Sequence, residues 1–167
     1  MSVPLTLTRP RHGRLRPGLL TAIAAGLASA LTGEELTLEP GEPRGFIRLL
    51  GTPSYEAWLI AWATGGSLEL HDHGGSAGAV HVVEGALTEV YADLDQKQPL
   101  RSRSVRAGDH LAIPATRVHE VWNAGPELAL SVHVYSPPIT TMTFFDPDPS
   151  RYLAPLRTER PEVDTAP

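Results

Sequence analysis

Three histidines carry the most specific chemical signal in this sequence. His71 and His73 are separated by one residue, and His119 follows in a later segment. Residues two apart on a strand place their side chains on the same face, so His71 and His73 can approach one ion together. Imidazole is a common ligand of transition metals, and three protein ligands leave coordination positions open for a substrate. The spacing therefore predicts a catalytic metal site formed by His71, His73 and His119.

A frame of glycine and proline surrounds these histidines. The first segment reads Gly65-x5-His71-x-His73 with Gly85 beyond it, and the second reads Gly108-x5-Pro114-x4-His119-x3-Asn123. An isolated His-x-His pair is most often a surface feature, but the two segments together resemble the paired motifs of the cupin superfamily. Most metal-binding cupins have a Glu four or five residues after the second histidine, where this chain has Ala77 and Gly78. The site therefore offers three neutral imidazoles and no carboxylate.

Composition sets limits on the fold and on the partners. A chain of 167 residues is long enough for one domain with a sizeable core. The formal charge of -5 argues against a nucleic-acid or membrane partner, since both favour basic patches. The chain has no cysteine, which excludes disulfides, thiolate ligands and a cysteine nucleophile. The 15 glycines and 16 prolines are typical of short strands joined by tight turns.

The N-terminal region has two competing interpretations. Four arginines precede an apolar run from Leu19 to Leu31, as in a signal peptide. Within this run Leu19, Ile23, Leu27 and Leu31 recur every four positions, as on one face of an amphipathic helix. We favour the helix and a cytoplasmic protein, because polar residues and glycine dilute the run, which is also too short to span a bilayer.

From residue 46 onward, short apolar runs are interrupted by Gly, Pro, Asp and Asn about every ten residues, which is typical of an all-β sandwich or barrel. After a weak candidate at Glu35–Glu39, the predicted strands are Phe46–Leu50, Glu56–Ala63, Ser67–His71, Ala79–Glu84, Ala86–Ala92, Arg101–Val105, His110–Ile113, Val118–Asn123, Leu128–Tyr135 and Met142–Phe145. We expect a hairpin turn at Glu84-Gly85. We also expect one domain over residues 1–153 and a Pro-rich tail over 154–167, poorly ordered or draped over the surface.

Much of the chain, from about Phe46 to Met142, resembles the cysteine dioxygenase family of thiol dioxygenases. The resemblance rests on Trp62 and on residues 71–78, 85–89, 117–123 and 131–138. It implies an all-β cupin fold, a double-stranded β-helix or jelly-roll-like barrel with a short N-terminal helical segment. It also implies that Fe(II) is held by His71, His73 and His119, and that L-cysteine is oxidised with O2 to cysteine sulfinate. The residues alone leave Zn, Ni, Mn or Cu open. Because three neutral ligands leave the charge of the ion uncompensated, such a site favours an anionic thiolate.

Ser131, His133 and Tyr135 alternate along one strand, so their side chains share a face. The periodicity allows this face to point to solvent or to the interior. The resemblance implies an interior Ser-His-Tyr hydrogen-bonded relay beside the metal. Animal members cross-link the tyrosine to a cysteine, whose position here is Gly78, so the resemblance is to the bacterial type and Tyr135 is expected to be unmodified.

The resemblance also implies an arginine on an early strand that binds the substrate carboxylate in cysteine-selective members. 3-Mercaptopropionate-selective members have Gln there. Arg48 is our candidate, because a guanidinium binds a carboxylate in bidentate fashion, although a register slip of one residue would turn it outward.

Several functions remain open at this point. A 3-mercaptopropionate dioxygenase is the nearest alternative, and a three-histidine dioxygenase of diketones or flavonols is a second. A non-catalytic cupin that binds a metal or a small ligand is the third, although inward histidines are costly without partners. The expected partners are a small thiol and O2, with no nucleic acid or membrane, in a monomer or small homo-oligomer.

Overall fold

The computed structural model describes residues 13–34, 36–95, 98–148 and 152–161. These residues form one helix and eleven strands. They are α1 (Pro17–Ala30), β1 (Arg44–Gly51), β2 (Glu56–Trp62), β3 (Ser67–His71), β4 (Ala77–Glu84), β5 (Ala86–Asp93), β6 (Arg101–Arg106), β7 (His110–Ile113), β8 (Arg117–Trp122), β9 (Ala129–Ser136), β10 (Met142–Phe145) and β11 (Pro155–Glu159).

The strands build two antiparallel sheets. The first has the order β1-β2-β9-β4-β7 and the second the order β11-β10-β3-β8-β5-β6. Sequence neighbours are distributed over both sheets, so the chain crosses repeatedly from one to the other, as in a jelly roll. The all-β prediction with an N-terminal helical segment is confirmed.

The helix covers the outer face of the first sheet. Its buried residues are Leu20, Ala24 and Ala28, which pack with Val132 and Val134 of β9. Of the predicted apolar face, Ile23, Leu27 and Leu31 pack half-buried against the same cluster, whereas Leu19 is exposed. Since Val132 and Val134 face the helix, the alternate residues of β9 face the interior between the sheets.

Gly85 joins the two sheets. β4 and β5 do not pair with each other, because they belong to different sheets, so the predicted hairpin at Glu84-Gly85 is wrong. The φ of Gly85 is +73°, and an added Cβ would lie 2.9 Å from the Cα of Ala129. Both the backbone conformation and the close approach require glycine at this corner.

Two terminal expectations differ from the structure. Residues 36–39 form no strand, while Glu35 lies outside the described residues. Part of the expected Pro-rich tail forms β11, which pairs with β10 at the edge of the second sheet and is exposed along its length. Residues 162–167 lie outside the described part. Among the described residues, no helix is long and apolar enough to cross a membrane.

Candidate metal centre

The three predicted histidine ligands come together between the sheets. His71 ends β3, and strand pairing places it opposite His119 on β8. His73 lies in the loop that follows β3. The ring centroids are 4.9 Å apart for His71 and His73, 4.8 Å for His71 and His119, and 5.0 Å for His73 and His119. One nitrogen from each ring lies within 4.8 Å of the other two. This triangle of nitrogens could hold one metal ion.

Hydrogen bonds orient two of the three rings. His71 Nδ1 donates to the carbonyl oxygen of Glu69 at 2.6 Å, and His119 Nδ1 lies 2.7 Å from Glu89 Oε1. The Nε2 lone pairs of both rings are therefore left for a ligand. Among the described residues, neither nitrogen of the buried His73 has a hydrogen-bond partner. Because burying an unpaired polar group is costly, this donor set fits a coordinated metal.

Burial keeps the three rings neutral. It lowers the pKa of His71 from 6.5 to about 4, and it lowers the pKa values of His73 and His119 well below 6.5. Neighbouring histidines lower the pKa values of His73 and His119 further. Neutral imidazoles have the free lone pair that metal binding requires.

A hydrogen-bonded chain runs along the interior face of β9. Ser131 Oγ lies 2.9 Å from His133 Nε2, and His133 Nδ1 lies 3.0 Å from the Tyr135 hydroxyl. The Trp62 indole nitrogen donates to Ser131 Oγ at 2.9 Å. An indole N–H only donates, so the Ser131 hydroxyl is free to donate to His133, and His133 in turn to Tyr135. When the chain donates in this order, the Tyr135 hydroxyl oxygen accepts from His133, and its own proton can be donated to a group in the interior.

Tyr135 connects this chain to the histidine triangle. Its ring stacks on His73 with centroids 4.7 Å apart. A Cβ at Gly78 would lie 2.7 Å from Tyr135 Cδ1, so glycine makes room for the tyrosine ring. Burial lowers the pKa of His133 to about 3 and raises the pKa of Tyr135. Both residues are therefore neutral at physiological pH.

A cavity of about 230 Å³ reaches the triangle from the surface. Apolar side chains such as Phe46, Trp58 and Ile139 form much of its wall, together with the three histidines, His133 and Tyr135. The C-terminal strand β11 closes one side, because Glu159 and the two residues after it line the cavity.

The arginine of β1 that lines this cavity is Arg44, four residues before Arg48. Its guanidinium lies 5.7 Å from the centroid of the Trp62 ring, and burial lowers its pKa. Arg48 is not among the described residues of the cavity wall. It pairs with Glu56 at 3.5 Å and stacks on Trp58. The strand predicted from the sequence begins at Phe46, so Arg44 lay outside it, whereas β1 begins at Arg44.

Glu89 was a second functional candidate that sequence reasoning did not single out. It lies on β5 and is completely buried beside His119. The available signal was an acidic residue in the middle of a predicted strand, because acidic side chains are seldom buried without a partner.

Comparisons with known proteins agree with this architecture. The cysteine dioxygenase type I family matches residues 41–148. A solved structure described as "Structural and spectroscopic insights into the mechanism of oxalate oxidase" is 26% identical with a TM-score of 0.55, over 69% of this chain and 63% of that chain. A recombinant oxalate oxidase in complex with glycolate is 23% identical with a TM-score of 0.52, over 62% and 56%. This chain thus spans less than two thirds of either oxalate oxidase chain.

A third structure, the cupin domain of Schizosaccharomyces pombe Cnp3, is 11% identical with a TM-score of 0.51 over 60% of this chain and 69% of that domain. At this identity the likeness concerns the fold alone. The family match covers most of the chain and includes all three histidines. The protein has a cupin fold and belongs to the cysteine dioxygenase type I family.

Proposed function

We propose that the protein is a non-haem Fe(II) thiol dioxygenase that converts L-cysteine and O2 to cysteine sulfinate. The observation that carries this proposal is that one cavity is lined by the buried three-histidine triangle and by His133 and Tyr135 of the Ser131-His133-Tyr135 chain. Membership of the cysteine dioxygenase type I family supports it. Both oxygen atoms of O2 enter the product, so the reaction needs no additional reductant.

His71, His73 and His119 would hold the iron. When bound, the iron would supply a centre that takes up both the thiolate and O2. An uncompensated cation favours the thiolate over the thiol, which lowers the pKa of the substrate sulfur. The three histidines contribute neutral donors, and two of them are fixed in orientation, His71 by Glu69 and His119 by Glu89.

Arg44, in place of Arg48, is the proposed partner of the substrate carboxylate. It lines the same cavity as the three histidines, whereas Arg48 is engaged by Glu56. A guanidinium and a carboxylate form paired, charge-assisted hydrogen bonds, which fix orientation as well as position. Holding the carboxylate on β1 would direct the thiol toward the triangle.

Tyr135 is the proposed hydrogen-bond donor to the reacting groups. Trp62 and Ser131 orient His133, which donates to the Tyr135 hydroxyl oxygen, so the tyrosine's own proton is directed into the cavity. The raised pKa of Tyr135 keeps this proton in place. A donor fixed in a largely apolar cavity stabilises developing negative charge without first reorganising.

3-Mercaptopropionate is the second candidate substrate. It offers the same thiol and carboxylate but lacks the amine of cysteine. The two carboxylates on the described cavity wall are engaged with the protein, since Glu56 accepts from the backbone of Ile139 at 2.8 Å and Glu159 pairs with Arg157 at 2.6 Å. Because both carboxylates already have a protein partner, a substrate without an amine leaves neither of them unpaired, which supports this second candidate.

Oxygen uptake by anaerobically iron-loaded protein tests the proposal. L-cysteine, 3-mercaptopropionate and cysteamine are offered separately, and the products are analysed for sulfinate. We expect uptake with L-cysteine, one sulfinate for each O2, and little uptake with cysteamine, which has no carboxylate. Oxygen uptake only with 3-mercaptopropionate would identify that thiol, rather than L-cysteine, as the substrate. A protein that binds iron but consumes no O2 with any thiol would instead indicate a ligand-binding cupin or a non-thiol dioxygenase.

A further inference from the structure

Glu89 links the histidine triangle to a buried group of charges. Its Oε1 lies 2.7 Å from His119 Nδ1, and its Oε2 accepts from Arg103 Nε at 2.5 Å. Arg117 Nη1 lies 3.9 Å from Oε1. Glu89 is 0% exposed, so water does not compete for its oxygens. Each carboxylate oxygen therefore faces a separate protein donor.

We propose that Glu89 is a positioning residue that holds His119 in the tautomer required for metal binding. This inference rests on the metal site of the proposed function. A carboxylate only accepts hydrogen bonds, so it keeps the proton of His119 on Nδ1. The Nε2 lone pair is then directed to the triangle formed with His71 and His73. A negative charge behind the ring also makes His119 a stronger donor.

The surrounding charges hold Glu89 in this position. The guanidinium groups of Arg103 and Arg117 lie 4.5 and 4.4 Å from the centroid of the Tyr91 ring. Arg117 also pairs with Asp93 at 2.8 Å. The aromatic ring holds both arginines, and Arg103 compensates the charge of Glu89 directly.

The pattern of donors explains why a carboxylate is required here. Arg103 only donates, and His119 must also donate if its Nε2 is to bind a metal. A glutamine at position 89 has one acceptor oxygen and one donor NH2 group. Since Arg103 takes the oxygen, the NH2 group would face His119 Nδ1. The ring would then move its proton to Nε2, where it opposes coordination.

The test uses the full chain as E89Q, as E89Q/R103M and as the control D93N. Asp93 is a carboxylate of the same buried group, but its pairs are with Arg101 and Arg117. Two readouts are independent of turnover. Nitrogen-15 NMR of the metal-free protein reports the tautomer of His119, and competitive titration gives the dissociation constant for Co²⁺.

We expect the wild-type protein and D93N to carry the His119 proton on Nδ1 and to bind Co²⁺ equally well. E89Q should carry it on Nε2 and bind Co²⁺ about 10- to 100-fold more weakly. In E89Q/R103M the amide oxygen is free to turn toward His119, so the Nδ1 tautomer and most of the affinity should return. If Glu89 only stabilised the fold, removing the Arg103 side chain as well would not restore the affinity for Co²⁺.

An Nε2 proton in the wild-type protein would overturn the inference, even if E89Q did not fold. So would wild-type affinity in E89Q, or an equal loss in D93N. Neither readout uses a thiol or O2. Failure of cysteine oxidation with these results intact would refute the proposed function alone, and thiol oxidation with an unaffected E89Q would refute the role of Glu89 alone.

Discussion

Replacing Arg44 by Gln tests how the cavity recognises its substrate. The side chain lines the same cavity as the histidine triangle and packs on Trp62. Hydrogen bonds to charged groups contribute about 1.5–3 kcal/mol, and each 1.4 kcal/mol is tenfold in an equilibrium. R44Q should therefore lower kcat/KM for L-cysteine by about 10- to 150-fold. Most of the loss should be in KM, because the contact is made already in the bound ground state.

Arg48 supplies the matched control. It lies on the same strand, about 13 Å further along at 3.3 Å per residue, and pairs with Glu56 at 3.5 Å. A partly exposed ion pair of this kind contributes about 0–1 kcal/mol to stability. R48Q should therefore leave the KM for cysteine unchanged.

Steady-state oxygen uptake with two thiols separates recognition of the carboxylate from damage to the cavity. Cysteamine lacks the carboxylate, so its low kcat/KM should be the same in R44Q and in the wild-type protein. An equal loss with both thiols would refute the assignment, because it would indicate a distorted site. A loss in R48Q that exceeds the loss in R44Q would return the role to Arg48.

Three further predictions concern the residues around the triangle. Tyr135→Phe should retain the full metal content but lower kcat by about 10²-fold, the usual lower range for a positioned proton donor; loss of iron on metal analysis would contradict this role. Burial lowers the pKa of His133 from 6.5 to about 3, so between these values only the unfolded chain binds the proton. Lowering the pH from 7 to 5 should therefore reduce the free energy of unfolding of the metal-free protein by about 2 kcal/mol through this residue. In urea titrations, the free energy of unfolding of His133→Gln should fall by about 2 kcal/mol less than that of the wild-type protein over the same pH change. An equal fall in both proteins would show that His133 takes up its proton as readily in the folded protein as in the unfolded chain. Gly78→Ala should displace the Tyr135 ring, since the new Cβ would lie 2.7 Å from Cδ1; kcat should fall with metal affinity retained, and unchanged kcat would mean that the ring adapts.

The sequence located most of the strands but not the strands with which they pair. Strand periodicity located β3, β8 and β9, because alternation and turn residues are local features. The hairpin expected at Gly85 failed because the sheet to which a strand belongs depends on distant pairings. β4 pairs with β7 and β9, far along the chain, rather than with its neighbour β5.

The same distinction between local and distant information applies to the site. Alternation along the strand predicts that Ser131, His133 and Tyr135 share one face of β9. Whether that face points to the interior or to solvent depends on what covers the opposite face of the strand. The helix α1 covers the opposite face of β9 at Val132 and Val134, more than a hundred residues from its own position in the chain. Arg44 was missed because the start of a strand is the least certain part of any sequence-based assignment.

The charges around the triangle indicate how metal and substrate binding depend on each other. The three histidines are neutral, and the negative charge of Glu89 behind His119 is compensated by Arg103. On the cavity side the positive charge of Arg44 reaches the triangle, since it adds to burial in lowering the pKa of His71. A bound cation is therefore repelled by Arg44 until an anion lies between them. A thiol that carries a carboxylate has two negatively charged groups. Its thiolate faces the metal and its carboxylate faces Arg44. Because coupling between two binding events is reciprocal, such a substrate must strengthen metal binding by the same factor by which the metal strengthens binding of the substrate.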